Sequence, residues 1–231
     1  VKSYNKFVNS ESLSKAYDFA LKAHLNQKRD EGAPYIIHPV AVADILTDLK
    51  LDSATIATGL LHDTIEDTKA TYETVKAEFG KEVADLVEGV TKISELEDKG
   101  IKNSKAENFR KLLLATSEDI RVLLVKIADR LHNMRTIQFV KDKDKQIRKA
   151  TETMEIYAPL ADRMGMNRIR DELEDLSFEI LNPKARKMIS ERLKLIKENR
   201  EDTYSEISKK LTETLKKENI TAEIIGREKT P

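Results

Sequence analysis

Cysteine and tryptophan are absent from the 231 residues, and there are only seven glycines and five prolines. Without thiols there is no disulfide framework and no thiolate metal site. Few Gly and Pro residues mean few turn signals, which favours long helices over many short strands. Net charge is lacking too: Lys+Arg and Asp+Glu balance at 41 each, so no overall field draws the chain to DNA or an anionic membrane. No apolar run approaches the ~20 residues of a spanning helix. The opening "VKSYNKFVNSESLSKAY" lacks the apolar centre of a secretory signal. The expected location is therefore the cytoplasm. What remains, 39% hydrophobic and 35% charged residues, fits a real core under a heavily charged surface.

Helical periods dominate what is present. Leu13, Ala16, Tyr17, Ala20 and Leu21 recur at three- and four-residue steps, which predicts a helix with one buried face. "RDEGAPYIIHP" breaks that period and reads as a loop, followed by a helix from Val40 to Leu49. Asp52 or Ser53 caps the next helix, with Ile56, Ala57, Leu60, Leu61 and Ile65 as its core stripe. Tyr72–Phe79 forms a short helix, and Val83, Leu86, Val87 and Val90 mark another, ended by the polar stretch "SELEDKGIKNSK". Ser104 and Glu107 read as a capping box ahead of Phe109, Leu112 and Leu113. Ser117 caps a helix whose apolar residues run from Ile120 to Met134. "KDKDKQIRK" reads as a solvated charge run. Pro159 bends or ends the helix that follows, and Pro183 opens one in which Met188, Ile189 and Leu193 are buried. A last helix carries Tyr204, Ile207, Leu211 and Leu215. "NITAEIIGREKTP" alone alternates like a strand.

"LLHDTIED" places four polar groups beside a core stripe. On a continuous helix His62 stacks over Glu66, and Asp63 over Asp67. An adjacent imidazole and carboxylate on one face reach a single metal ion, and two stacked acidic pairs near a core repel without a cation. In "ADRLHNMRT", Asp129, Asn133 and Thr136 share a second helix face, and His38 stands at a loop-to-helix junction. His38, His62, Asp63 and Asp129 make a two-imidazole, two-carboxylate set suited to manganese, iron or zinc, although spacing alone does not bring them together. His24 and His132 read as structural or surface residues.

"YIIHPVAVA", "HDTIED", "GVTKI" and "RVLLVKIADRLHNMRT" together resemble the hydrolase domain of the RelA/SpoT family, bacterial enzymes that make and destroy guanosine tetra- and pentaphosphate. "EIYAPLADRMGMNRIRDELEDLSF" resembles that family's helical connector, and "IIGREKTP" the first strand of its synthetase domain. The resemblance implies an all-α, HD-type metal-dependent phosphohydrolase domain over residues 1–150, a connector over 151–200 and the start of a truncated synthetase domain over 201–231. It implies one divalent ion, expected as manganese, on His38, His62, Asp63 and Asp129. It assigns Glu66 and Asp67 to the attacking water, and Arg29, Tyr35, Lys92, Arg130, Asn133 and Thr136 to the substrate. The implied reaction removes the 3′-pyrophosphate of a guanine nucleotide, with neither DNA, membrane nor ribosome as a partner of this chain. Two alternatives stay open: an HD phosphohydrolase for another nucleotide, and a catalytically weak domain that regulates a synthetase. Asp30 and Ala33 depart from the family pattern beside Arg29, and Asp162 and Asp171 depart from it in the connector.

Overall fold

The computed structural model describes residues 9–98, 119–198, 201–222 and 224. Among them there are helices and no strand, only an isolated bridge between Lys28 and Pro34. The first half contains α1 (Ser10–Ala23), α2 (Ile37–Asp48), α3 (Ser53–Leu61), α4 (Thr64–Asp67), α5 (Tyr72–Phe79) and α6 (Lys81–Asp98). Then come α7 (Ile120–Arg135), a 3-10 turn at Ile137–Phe139, α8 (Lys143–Glu152), a π-helical turn at Thr153–Tyr157 and α9 (Ala158–Arg163). The chain continues through α10 (Asn167–Leu181), α11 (Pro183–Glu198) and α12 (Glu201–Lys217).

α7 is the axis of the fold. α2, α3 and α6 pack against it from one side and α10 from another. Val122, Leu123, Val125, Ile127, Ala128, Leu131 and Met134 are buried, and so are Lys126, Asp129, Arg130 and His132 between them. A helix buried all round hides its apolar residues at no cost, but its polar ones need partners inside the protein. α2 and α3 approach most closely at Gly59, where an added Cβ would lie 2.6 Å from Leu46 Cδ1 and 3.4 Å from Ala43 Cα.

Several local expectations need correction. α3 and α4 are not one helix. Thr64 Oγ1 donates to the Leu61 carbonyl at 2.6 Å and His62 Nδ1 faces the Gly59 carbonyl at 2.9 Å, so side chains take the carbonyls of the last turn. The helix therefore breaks at His62–Asp63. α6 continues through Ser94 to Asp98 instead of ending there. Asp119 itself caps α7 by accepting from the Arg121 amide; Ser117, and the capping box at Ser104 and Glu107, lie outside the described residues. The "KDKDKQIRK" run starts α8, capped by Asp142, and Gln146 within it is buried because its amide donates to the Val140 carbonyl. Tyr17 is exposed while Ala16 and Ala20 carry the buried face of α1. Met188, Ile189 and Leu193 are exposed, because α11 packs only along α10 and has no second layer over its apolar stripe among the described residues. Residues 220–222 and 224 have no regular structure, and the remainder of the expected strand lies outside the described residues.

Candidate metal centre

Three stretches of chain meet at one point. His38 comes from the first turn of α2, His62 and Asp63 from the break between α3 and α4, and Asp129 from the middle of α7. Ligand atoms of His38, His62 and Asp129 lie within 4.8 Å of one another, and all three residues are buried. His38 Nε2 is 3.2 Å from Asp129 Oδ1 and 3.5 Å from Asp63 Oδ2. His62 Nε2 is 3.1 Å from Asp63 Oδ2 and 3.8 Å from Asp129 Oδ1. The four residues predicted as ligands are thus brought together.

The tautomers follow from the partners. A ring nitrogen facing a carbonyl must be the donor, so His62 carries its proton on Nδ1, toward Gly59. Its Nε2 is buried with no hydrogen-bond partner and presents a lone pair to two carboxylates. That contact is repulsive until a cation or a proton enters it. With protein groups alone a proton does: burial opposes charge on His62, but Asp63 and Asp129 outweigh it and push the imidazole up to about 10. Burial likewise opposes ionisation of Asp63 and Asp129, yet His62 holds Asp63 well below the usual carboxylate range and Lys126 does the same for Asp129. A buried lone pair between two ionised carboxylates fits a divalent cation with nitrogen and oxygen ligands.

His38 turns its other nitrogen to His132, with Nδ1 to Nδ1 at 2.7 Å. For Nε2 of His38 to face the cation, its Nδ1 must donate and His132 Nδ1 must accept. Burial first, and then the neighbouring His38, push His132 down to about 4, so it stays neutral in this role. Reading His132 as a structural or surface residue missed its contact with a ligand. Its place one turn beyond Asp129 on the same helix was the available signal.

The acidic pair lies at the mouth of the centre. Burial pushes the pKa of both Glu66 and Asp67 above its ordinary value, and Asp63 raises that of Asp67 further. The Tyr35 hydroxyl is 2.7 Å from Asp63 Oδ2 and 3.1 Å from Asp67 Oδ2, so a phenol bridges a candidate ligand and a candidate base. The Tyr35 ring stacks on buried His24 at 4.6 Å between centroids. Tyr35 follows a tight loop in which Gly32, at φ 87°, allows its own amide to reach the Arg29 carbonyl and the Arg29 amide to reach Ala33. That loop delivers Arg29 to the rim, where one Nη donates to Asn133 Oδ1 and Thr136 Oγ1, each at 3.1 Å. Asp30 beside it is exposed.

Two expected substrate residues sit elsewhere. Lys92 is exposed on α6 and pairs with Glu88 at 2.8 Å. Arg130 is buried, 3.3 Å from Glu152, with its guanidinium 4.3 Å from the Tyr157 ring centroid. These contacts join it to α8 and the π-helical turn.

Residues 16–167 match the family model of the HD domain. Over all its 231 residues the chain is 51% identical to the GTP pyrophosphokinase rsh of Brucella melitensis biotype 1, covering 31% of that protein. Over 217 residues, 94% of the chain, it is 48% identical to the bifunctional (p)ppGpp synthase/hydrolase SpoT of Escherichia coli K12, again covering 31%. A solved structure described as a metazoan ortholog of SpoT that hydrolyses ppGpp aligns with a TM-score of 0.53 and 27% identity, over 75% of this chain and 95% of that one. The chain spans about a third of the length of the curated relatives it matches. By its helical fold, its histidine–aspartate centre and these likenesses, the chain belongs to the HD domain family and, within it, is of the RelA/SpoT type.

Proposed function

We propose that the chain hydrolyses the 3′-pyrophosphate of guanosine tetra- or pentaphosphate, releasing pyrophosphate and leaving GDP or GTP. The observation that carries this reading is the unpartnered Nε2 of His62, buried between two carboxylates that His38 also faces. A guanosine-3′,5′-bis(diphosphate) 3′-pyrophosphohydrolase of Escherichia coli O157:H7, 48% identical over 217 residues, supports the choice of substrate. His38, His62, Asp63 and Asp129 would hold one divalent ion, proposed as manganese. When bound, it supplies a Lewis acid that acidifies water and offsets phosphate charge.

The protein groups do the rest. Glu66 or Asp67 accepts the proton of a water whose oxygen bonds to the phosphorus on O3′. The O3′–P bond breaks with its electron pair going to O3′, and the proton held by the carboxyl group passes to O3′, so the nucleoside leaves with a 3′-hydroxyl. The raised pKa of Glu66 and of Asp67 makes each a stronger base than an ordinary carboxylate. Tyr35 donates between Asp63 and Asp67 and so fixes the base relative to the ligand. Asn133 and Thr136 hold the Arg29 fork at the rim, where its planar donors suit a phosphate or a base edge. In the proposed organisation, residues 1–150 form the hydrolase domain, 151–200 the connector and 201–231 the opening of a synthetase domain.

The test is pyrophosphate release from guanosine tetraphosphate with added manganese, beside His62→Ala. Release by the parent and loss of at least 100-fold in the variant is the expected outcome. No release from folded, manganese-loaded parent protein overturns the reading.

A further inference from the structure

Lys126 is an uncommon residue to find where it is. It is 5% exposed, on the axis helix α7, one turn before Asp129. A buried ammonium is costly unless paired, and this one has two anionic or polar partners in view. Its Nζ lies 3.1 Å from Asp129 Oδ2 and 3.0 Å from Ser94 Oγ. Ser94 is buried on α6; its hydroxyl donates to the Val90 carbonyl at 3.4 Å and its oxygen accepts from Lys126. One ammonium therefore touches a candidate metal ligand directly, and its charge also acts on the candidate base Glu66.

The consequence for Asp129 is a division of labour between its oxygens. Oδ1 faces His38 and His62 and accepts from Asn133 Nδ2 at 2.6 Å. Oδ2 is taken by Lys126. Asp129 can then offer only one oxygen to a cation. The charge balance points the same way. Asp63, Asp129, Glu66 and Asp67 bring four carboxylates, the proposed substrate is a polyanion, and one divalent ion does not offset them. A fixed positive charge on the far side of Asp129 does part of that work and leaves the ion's own positions open.

We propose that Lys126 is a positioning residue of this centre: seated by Ser94, it holds Asp129 to single-oxygen ligation of the ion. It rests on the proposed hydrolase reading only for its kinetic consequence; its effect on cation binding stands without it. Lys126 repels the ion while organising its ligands. Removing it frees Asp129 Oδ2 and removes a like charge, so binding tightens while catalysis fails. A merely structural lysine would do the opposite on the first count.

The experiment compares parent, Lys126→Met and Ser94→Ala in manganese titration calorimetry and in steady-state hydrolysis of guanosine tetraphosphate. Lys126→Met keeps the length of the side chain and removes its charge. Expected for it is manganese affinity at least threefold tighter than the parent, with kcat down about 100-fold and KM within threefold. Ser94→Ala keeps Asp129 and removes the hydroxyl that seats the ammonium beside it. Expected for it is a manganese affinity between those of the parent and Lys126→Met, with kcat down about tenfold. Weaker manganese binding by Lys126→Met, or unaltered kcat in both variants, overturns the proposal. If Lys126→Met does not fold, Ser94→Ala alone decides: full kcat overturns it. If the folded parent releases no pyrophosphate, the hydrolase reading fails, and the direction of the affinity change in Lys126→Met still decides the role of Lys126.

Discussion

His132 receives the Nδ1 proton of His38, and with it the orientation of a candidate ligand. A group that orients a metal ligand in this way is typically worth about 10–100-fold in metal affinity. His132→Ala is therefore expected to weaken manganese binding by about that factor, measured by titration calorimetry. His132→Asn, whose amide oxygen can accept the same proton, should recover part of the loss. Equal affinity in His132→Ala would show that His38 holds its tautomer unaided. Which residues were legible in the sequence follows from chemistry. His38, His62, Asp63 and Asp129 stood out because the chain has only four histidines and a paired acidic motif. Lys126 and His132 each lie one turn from Asp129, which was a local signal, but their contacts with Ser94 and His38 are set by how α6, α7 and α2 pack.

At the scale of elements, the centre depends on the close approach of α2 and α3. Gly59 makes it possible and also supplies the carbonyl that fixes the His62 tautomer. Gly59→Ala would press a methyl group against Leu46 and the backbone of Ala43. Overpacking of this kind costs about 1–3 kcal/mol, to be read from urea unfolding, and moving α3 off α2 should also weaken manganese binding. A variant as stable and as tight as the parent would mean that the two helices part without consequence. Helix existence was readable from apolar periodicity almost throughout the described residues. The break after Leu61 was not, because it arises from side chains competing for backbone carbonyls within an otherwise helical pattern. The stripe on α11 was readable as amphipathic, but periodicity does not say whether anything covers it.

For the molecule as a whole, a cation and a proton compete for one place, His62 Nε2. With protein groups alone, His62 is raised from 6.5 to about 10. The stability it contributes in chelator is therefore complete below about pH 6.5 and is lost as pH rises toward 10. A bound ion needs the neutral ring, so it is favoured by the same rise in pH. Thermal melts with excess manganese and with chelator should therefore diverge as pH increases from 6.5 to 9, manganese giving the higher Tm. A gap that stays constant across that range would place the ion elsewhere. The π-helical turn at Thr153–Tyr157 has its own consequence at this scale. The Ala158 amide reaches the Thr153 carbonyl, five residues back, so this turn holds one residue more than an α-turn. Deleting a single residue there would restore ordinary helical winding while the residues on either side keep their faces. The segment thus works as slack in the chain, a place where a one-codon change in length is taken up before it reaches the helices downstream or the buried centre upstream.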